Sequence, residues 1–119
     1  MIPRLRNLAI DCNDLDGMVA FWSELLSFEV LARDDSDALL AARADARPRL
    51  YLQKVPEPRH GKNRLHLDLD VGDDELEPAI ERAERLGARR VESHVESGHG
   101  WWVLADPEGN YFCIGRIPD

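Results

Sequence analysis

"RLHLDLDV", Arg64 to Val71, alternates without a break: Leu65, Leu67, Leu69 and Val71 against His66, Asp68 and Asp70. A period of two is that of a β-strand with one face toward a core and the other toward something polar. The segment after this strand decides the fold. Asp73 or Asp74 can cap a helix, and Leu76, Ala79, Ile80, Ala83 and Leu86 make its buried stripe. Pro78 falls in the first turn, where its missing N–H matters least, and Gly87 suits a left-handed stop. Short strands at about 88–92, 101–105 and 110–115 come after it, the last entered through the tight turn "DPEGN".

The same order occurs upstream. "LRNLAIDC" (5–12) reads as a strand, Asn13 or Asp14 as a helix cap, and Leu15, Met18, Val19, Trp22, Leu25 and Leu26 as one continuous stripe. Strands at about 28–33, 37–43 and 48–55 come next, and "PEPRHGKN" (56–63) is a Pro-, Gly- and charge-rich linker. The chain therefore reads as one α+β domain, 1–119, made of two tandem βαβββ modules, about 1–55 and 64–119. Paired, the modules would form a curved mixed sheet around a cup-shaped cavity, with the helices outside.

Alternation assigns the side chains. Leu8, Ile10, Leu50, Leu52, Phe112 and Ile114 should face the helices, together with Cys12, and Trp22 belongs to the core. Asn7, Asp11, Tyr51, Gln53, His66, Asp68, Tyr111 and Cys113 then face the cavity. Trp101 and Trp102 are adjacent on a strand, so one of them must turn inward, where it can offer a flat aromatic wall. "ESHVESGHG" (92–100) has little periodicity, and Gly98 and Gly100 suggest a mobile flap whose His94 and His99 are solvated. "EPRHGKNR" (57–64) carries local positive charge, enough to grip an anionic substituent or simply to solvate a connector.

Bulk properties exclude several functions. Net charge is −8, with 32% charged and 44% hydrophobic residues, so no basic surface for nucleic acid is supplied. No apolar run reaches the ~20 residues that span a bilayer, and the N-terminus lacks the pattern of a signal peptide. Two cysteines make no disulfide scaffold, which points to free thiols and a cytoplasmic protein.

"LAIDCNDLDGMVAFWSELLSFEV", "NRLHLDLDVGDDELEPAIERAERLGA" and "WWVLADPEGNYFCI" resemble the vicinal oxygen chelate superfamily, of the glyoxalase, bleomycin-resistance and extradiol dioxygenase type. More narrowly, "NRLHLDLDV" and "DPEGNYFC" are similar to the glyoxalase-like domains common in actinobacteria. The resemblance implies a small-molecule ligand and a homodimer. It also implies a divalent metal held by one residue from each of four strands, positions that fall on Asn7, Tyr51, His66 and Cys113. Only His66 is a conventional ligand, so no metal and no cofactor is expected, with a weakly held metal as the alternative.

Three functions stay open. His66, with Asp68 or Cys113, can move protons in a lyase- or isomerase-like reaction. A neighbouring imidazolium would turn Cys113 into a thiolate. Against this, His66 can merely shape the pocket, Asp68 can pair with an arginine, and Cys113 can be a small pocket-lining residue. The second function is sequestration of a ligand without catalysis, as in the bleomycin-resistance branch. The third is a domain that only associates with itself or a partner.

Overall fold

A computed structural model describes residues 1–72, 74–96 and 99–116, without the side chains of Glu96 and His99. The chain divides into two compact units, Met1–Arg59 and His60–Asp119. The first contains β1 (Asn7–Cys12), α1 (Leu15–Leu26), β2 (Glu29–Arg33), β3 (Asp37–Ala41) and β4 (Arg49–Lys54). The second contains β5 (Asp68–Val71), α2 (Leu76–Leu86), β6 (Arg89–Glu96), β7 (His99–Ala105) and β8 (Tyr111–Arg116). Each is a βαβββ module, and the sheet orders match: β1-β4-β3-β2 and β5-β8-β7-β6. In both, the first strand runs parallel to the last and the others are antiparallel.

In the first module the expected stripe builds the core. Asp14 caps α1, its carboxylate accepting from the Gly17 N–H at 3.1 Å. At the other end Ser27 takes the left-handed conformation, φ 53°, and the helix stops. Leu15, Met18, Val19, Phe21 and Trp22 are buried with Ala38, Leu40, Leu50 and Leu52 of the sheet, and Cys12 joins them. Phe21 and Trp22 meet edge to face, centroids 5.1 Å apart. Asn7, Asp11, Tyr51 and Gln53 alternate with these buried positions and share the helix-free face, as the pairs Ala9–Tyr51 and Asp11–Gln53 require.

In the second module α2 buries Ile80 and Ala83, with Leu104, Phe112 and Ile114 in the same core. Its cap differs from expectation. The helix begins at Leu76 after Glu75, with no side-chain cap bond, and Asp74 lies ahead of it in an exposed turn. Asp73, the other cap candidate, is outside the described residues. Gly87, φ 124°, ends the helix as expected.

Each module carries a register shift in its second strand, between Val30 and Ala32 and between Arg90 and Glu92. An extra residue lets positions two apart face opposite ways. Arg90 therefore lies toward α2, while Glu92 joins the helix-free face beside Val103. The "DPEGN" turn is stapled by the buried Asp106, whose carboxylate accepts from the N–H groups of Glu108 and Asn110, both at 2.9 Å. Gly109 supplies the positive φ of 90° that the turn needs.

Two expectations are corrected. The strand expected over 64–71 meets β8 only from Leu67, whose carbonyl accepts from the Cys113 N–H at 2.9 Å, and is strand from Asp68, so His66 stands ahead of it, exposed. The cause is Asn63. Its Oδ1 accepts from the Tyr111 N–H at 2.7 Å, and its Nδ2 donates to the Tyr111 carbonyl at 3.0 Å. A side-chain amide thus takes the place of a strand backbone beside Tyr111, and residues 64–66 are released from the ladder. The stretch expected as a flap is largely a hairpin: β6 runs to Glu96, β7 starts at His99, and Gly98 lies outside the described residues.

Candidate functional site

The helix-free face of the second module is fixed by register. Asp68 pairs with Cys113, and Cys113 with Val103; one rung on, Asp70 pairs with Gly115, Gly115 with Trp101, and Trp101 with His94. Tyr111, two residues before Cys113, shares that face. A depression of about 210 Å³ opens there, its wall including Asp68, Gly100, Trp101, Cys113, Gly115 and Arg116. The two tryptophans divide as alternation demands. Trp101 borders the depression and stacks on His94, ring centroids 5.2 Å apart and planes 16° from parallel. Trp102 lies on the opposite face under the Arg90 guanidinium, 5.0 Å from its ring centre. Arg90 is held there by Glu77 at 2.5 Å and Glu84 at 3.1 Å, both on α2, and its pKa is raised by them.

Gly115 has a steric reason to be glycine. A Cβ at this position would sit 2.8 Å from the Cβ of Trp101 and 3.3 Å from the Gly100 carbonyl oxygen. The wall is bare backbone here because the Cα and Cβ of residue 101 and the Gly100 carbonyl leave no room for a side chain.

Cys113 and Asp68 interact directly. Burial first, then the charge of Asp68 and the hydrogen bond to it, push the Cys113 thiol above its ordinary pKa, and Lys62 offsets part of this. The neighbour is a carboxylate, not the imidazole that the alternation of 64–71 suggests. The thiol is therefore kept as S–H, a hydrogen-bond donor rather than a nucleophile at neutral pH. His66 does not line the depression.

In the first module the helix-free face carries its own polar contacts. The Tyr51 hydroxyl donates to Asp37, and this bond raises the phenol pKa ahead of desolvation and the charges of Asp37 and Asp34. Asn7 accepts through Oδ1 from Arg49 Nε at 2.9 Å. Asp11 and Gln53 are exposed, so the cost of burying the Asp11 carboxylate does not arise.

The four positions where the resemblance would put metal ligands can now be tested on their chemistry. The carbonyl oxygen of Asn7 is already taken by a guanidinium, whose charge would repel a cation. Tyr51 is a protonated phenol bonded to Asp37, and Cys113 a protonated thiol bonded to Asp68. An amide oxygen, a neutral phenol and a thiol are poor donors for an oxygen-seeking divalent ion, and only His66 is a conventional ligand. Among the described residues no group of three or more His, Cys, Asp or Glu side chains could hold a metal ion. The donor set does not fit a divalent ion.

Sequence reasoning missed two residues. Asn63 looked like linker, and nothing local distinguishes a solvated asparagine from one that clamps a strand 48 residues away. Arg49 carried no signal until β1 and β4 were placed side by side.

Comparison with known proteins agrees with the architecture. A family model described as a glyoxalase-like domain matches residues 7–115. A curated relative, "Glutathione transferase FosA" of Serratia marcescens, is 27% identical over 112 residues, covering 92% of this chain and 78% of the relative. A glyoxalase/bleomycin resistance protein/dioxygenase family enzyme from Burkholderia phytofirmans PsJN superposes with a TM-score of 0.82 at 20% identity, covering 98% of this chain and all (100%) of that one. The fosfomycin resistance protein FosX from Mesorhizobium loti gives 0.78 at 14% identity, covering 99% and 95%.

Proposed function

The chain belongs to the glyoxalase-like domain family, and on that footing we propose that it binds a small organic molecule on the helix-free face of its second module without a divalent metal. The observation that carries the reading is the depression beside Asp68, Cys113 and Trp101, which has an aromatic side, hydrogen-bonding groups and a bare backbone wall. Trp101 and Tyr111 pack on flat parts of the ligand. Asp68 accepts from its donors, and the Cys113 S–H takes part in the same network. Asn7, Asp11, Tyr51 and Gln53 serve the first module's face.

A screen of small metabolites by thermal shift, run with chelator present, tests this. A binder raises Tm in proportion to its concentration over Kd. The expected hits lose affinity in Trp101→Ala and Asp68→Asn and ignore the chelator. Hits that appear only with added metal would overturn the reading.

A second reading, catalysis, draws on Asp68, an exposed carboxylate at the wall of the depression, and on relatives described as a transferase and as an enzyme. In it His66 and Asp68 move protons, with Cys113 as a donor. Asp68→Asn, at the wall of the depression, separates the two. A collapse of turnover at unchanged affinity marks catalysis, and a change in affinity alone marks sequestration.

The protein acts as a homodimer in this proposal, a reading supported by exposed apolar side chains on two edge strands, Val30 of β2 and Val95 of β6. Sedimentation tests it, a monomer at all concentrations being the contrary result. The free thiols of Cys12 and Cys113 support a reducing, cytoplasmic setting. No described helix is long and apolar enough to cross a membrane.

A further inference from the structure

Two short stretches, "PRLR" (3–6) and "RPR" (47–49), place arginines ahead of or at the start of β1 and β4. Because β1 and β4 run parallel in the register Asn7–Arg49, both sets arrive at one end of the first sheet. The approach is direct: the Arg49 N–H donates to the Arg6 carbonyl at 3.0 Å, continuing the ladder below the strands. Arg49 is half-buried on the helix-free face, and its Nε is committed to Asn7 Oδ1. That bond fixes the plane of the guanidinium and leaves its two terminal nitrogens for something else.

No carboxylate takes them. Among the described residues Arg6, Arg47 and Arg49 form no ion pair, although the chain carries 23 acidic against 15 basic residues. The acid of the preceding loop, Asp45, is bonded to Arg43 at 2.8 Å. The three cations also feel one another. Arg49 is held below its ordinary pKa by desolvation first, then by repulsion from Arg47 and Arg6. Gathering like charges is unfavourable unless an opposite charge joins them, and a guanidinium presents paired N–H groups that match the oxygens of an oxyanion.

We infer that Arg49, oriented by Asn7 and assisted by Arg47 and Arg6, forms a site on the first module for a free oxyanion such as inorganic phosphate. Three cations favour a doubly charged oxyanion such as phosphate over a singly charged carboxylate. This goes beyond the proposed function and does not rest on it.

The probe is inorganic phosphate, titrated at constant ionic strength against chloride while the Arg49 Nε–H and the Asn7 side-chain amide are followed by NMR. Saturable shifts at both groups are expected, with acetate weaker than phosphate. Arg49→Ala should weaken phosphate about tenfold or more, a loss of the size expected for a charge-assisted pair. Asn7→Ala keeps the charge but frees the guanidinium and should weaken it less. Arg43→Ala, which removes a paired arginine outside the cluster, should leave binding unchanged. Absence of saturable shifts, or equal binding by wild type and Arg49→Ala, overturns the inference. Should Arg49→Ala fail to fold, Arg47→Ala decides, unchanged phosphate affinity being the contrary result. The two proposals fail separately. Phosphate binding here with no organic ligand at the second module sinks the function and spares the site, while an organic ligand there with no phosphate binding at Arg49 does the reverse.

Discussion

Asp68 and Cys113 stand opposite each other across the parallel β5–β8 ladder, the thiol donating to the carboxylate. Neither residue reveals the relationship alone, because it depends on which rung of β8 meets the start of β5. It assigns Cys113 a protonated state, and that state has measurable consequences.

Alkylation of Cys113 should be slow near neutral pH and should accelerate only above the ordinary thiol value of 9.0. Asp68→Asn removes the charge that raises the pKa, so its pH–rate profile should move to lower pH. Cys12 is buried and should not react until the chain unfolds. The sign for stability comes from linkage: a raised folded pKa means the native state holds its proton longer than the unfolded one. The thiol's contribution is thus complete below the unfolded value and lost as pH rises through the folded one. Denaturant titrations should show this loss in wild type and a smaller one in Asp68→Asn. Rapid alkylation at neutral pH would contradict the assignment.

Tyr51 should titrate above 10.0 because deprotonation breaks its bond to Asp37 and places two negative charges together. Asp37→Asn should return the phenol toward its ordinary value, read by ultraviolet difference absorbance. An unchanged titration would detach Tyr51 from Asp37.

Gly115→Ala forces a methyl group against the Trp101 Cβ and the Gly100 carbonyl. Overpacking of this kind costs about 1–3 kcal/mol, seen as a lower denaturation midpoint. Trp101 must shift to relieve it, so its fluorescence and the affinity of any ligand at the depression should change together. A variant with native stability and native fluorescence would show that the wall is not tightly packed.

Trp22 and Trp101 should separate cleanly on truncation. Trp22 is 1% exposed, and Trp22→Ala should cost about 3–5 kcal/mol of stability. Trp101→Ala should cost less and act mainly on ligand affinity. Equal losses would argue that Trp101 is core.

Much of this was legible because burial imposes a period. The α1 stripe, the alternation of Leu50 and Leu52 with Tyr51 and Gln53, and the repeat of element order all stem from having one face to bury. The same rule sent Asn7, Asp11 and Asp68 to the helix-free faces. It failed where backbone hydrogen bonds were satisfied in an unexpected way. Leu65 kept the alternating pattern, yet it is 73% exposed because Asn63 occupies the ladder position beside Tyr111. The β6–β7 hairpin escaped notice because its face alternates Glu92 and His94 with Ser93 and Val95, too weak a contrast to signal a strand. Alternation put Cys113 on the helix-free face but did not show its partner, since parallel register is set by the whole sheet.

The central claim is that the ligand is held by side chains without a divalent metal. It is tested most directly by side-chain-resolved NMR on chelator-treated protein, titrated with the strongest hit of the metabolite screen. The account predicts saturable shifts at the Trp101 indole and at Cys113, unchanged by chelator and not enhanced by added zinc, manganese or magnesium. Shifts that vanish with chelator and return with one of those ions, or that map to α1 and α2 instead, would contradict it.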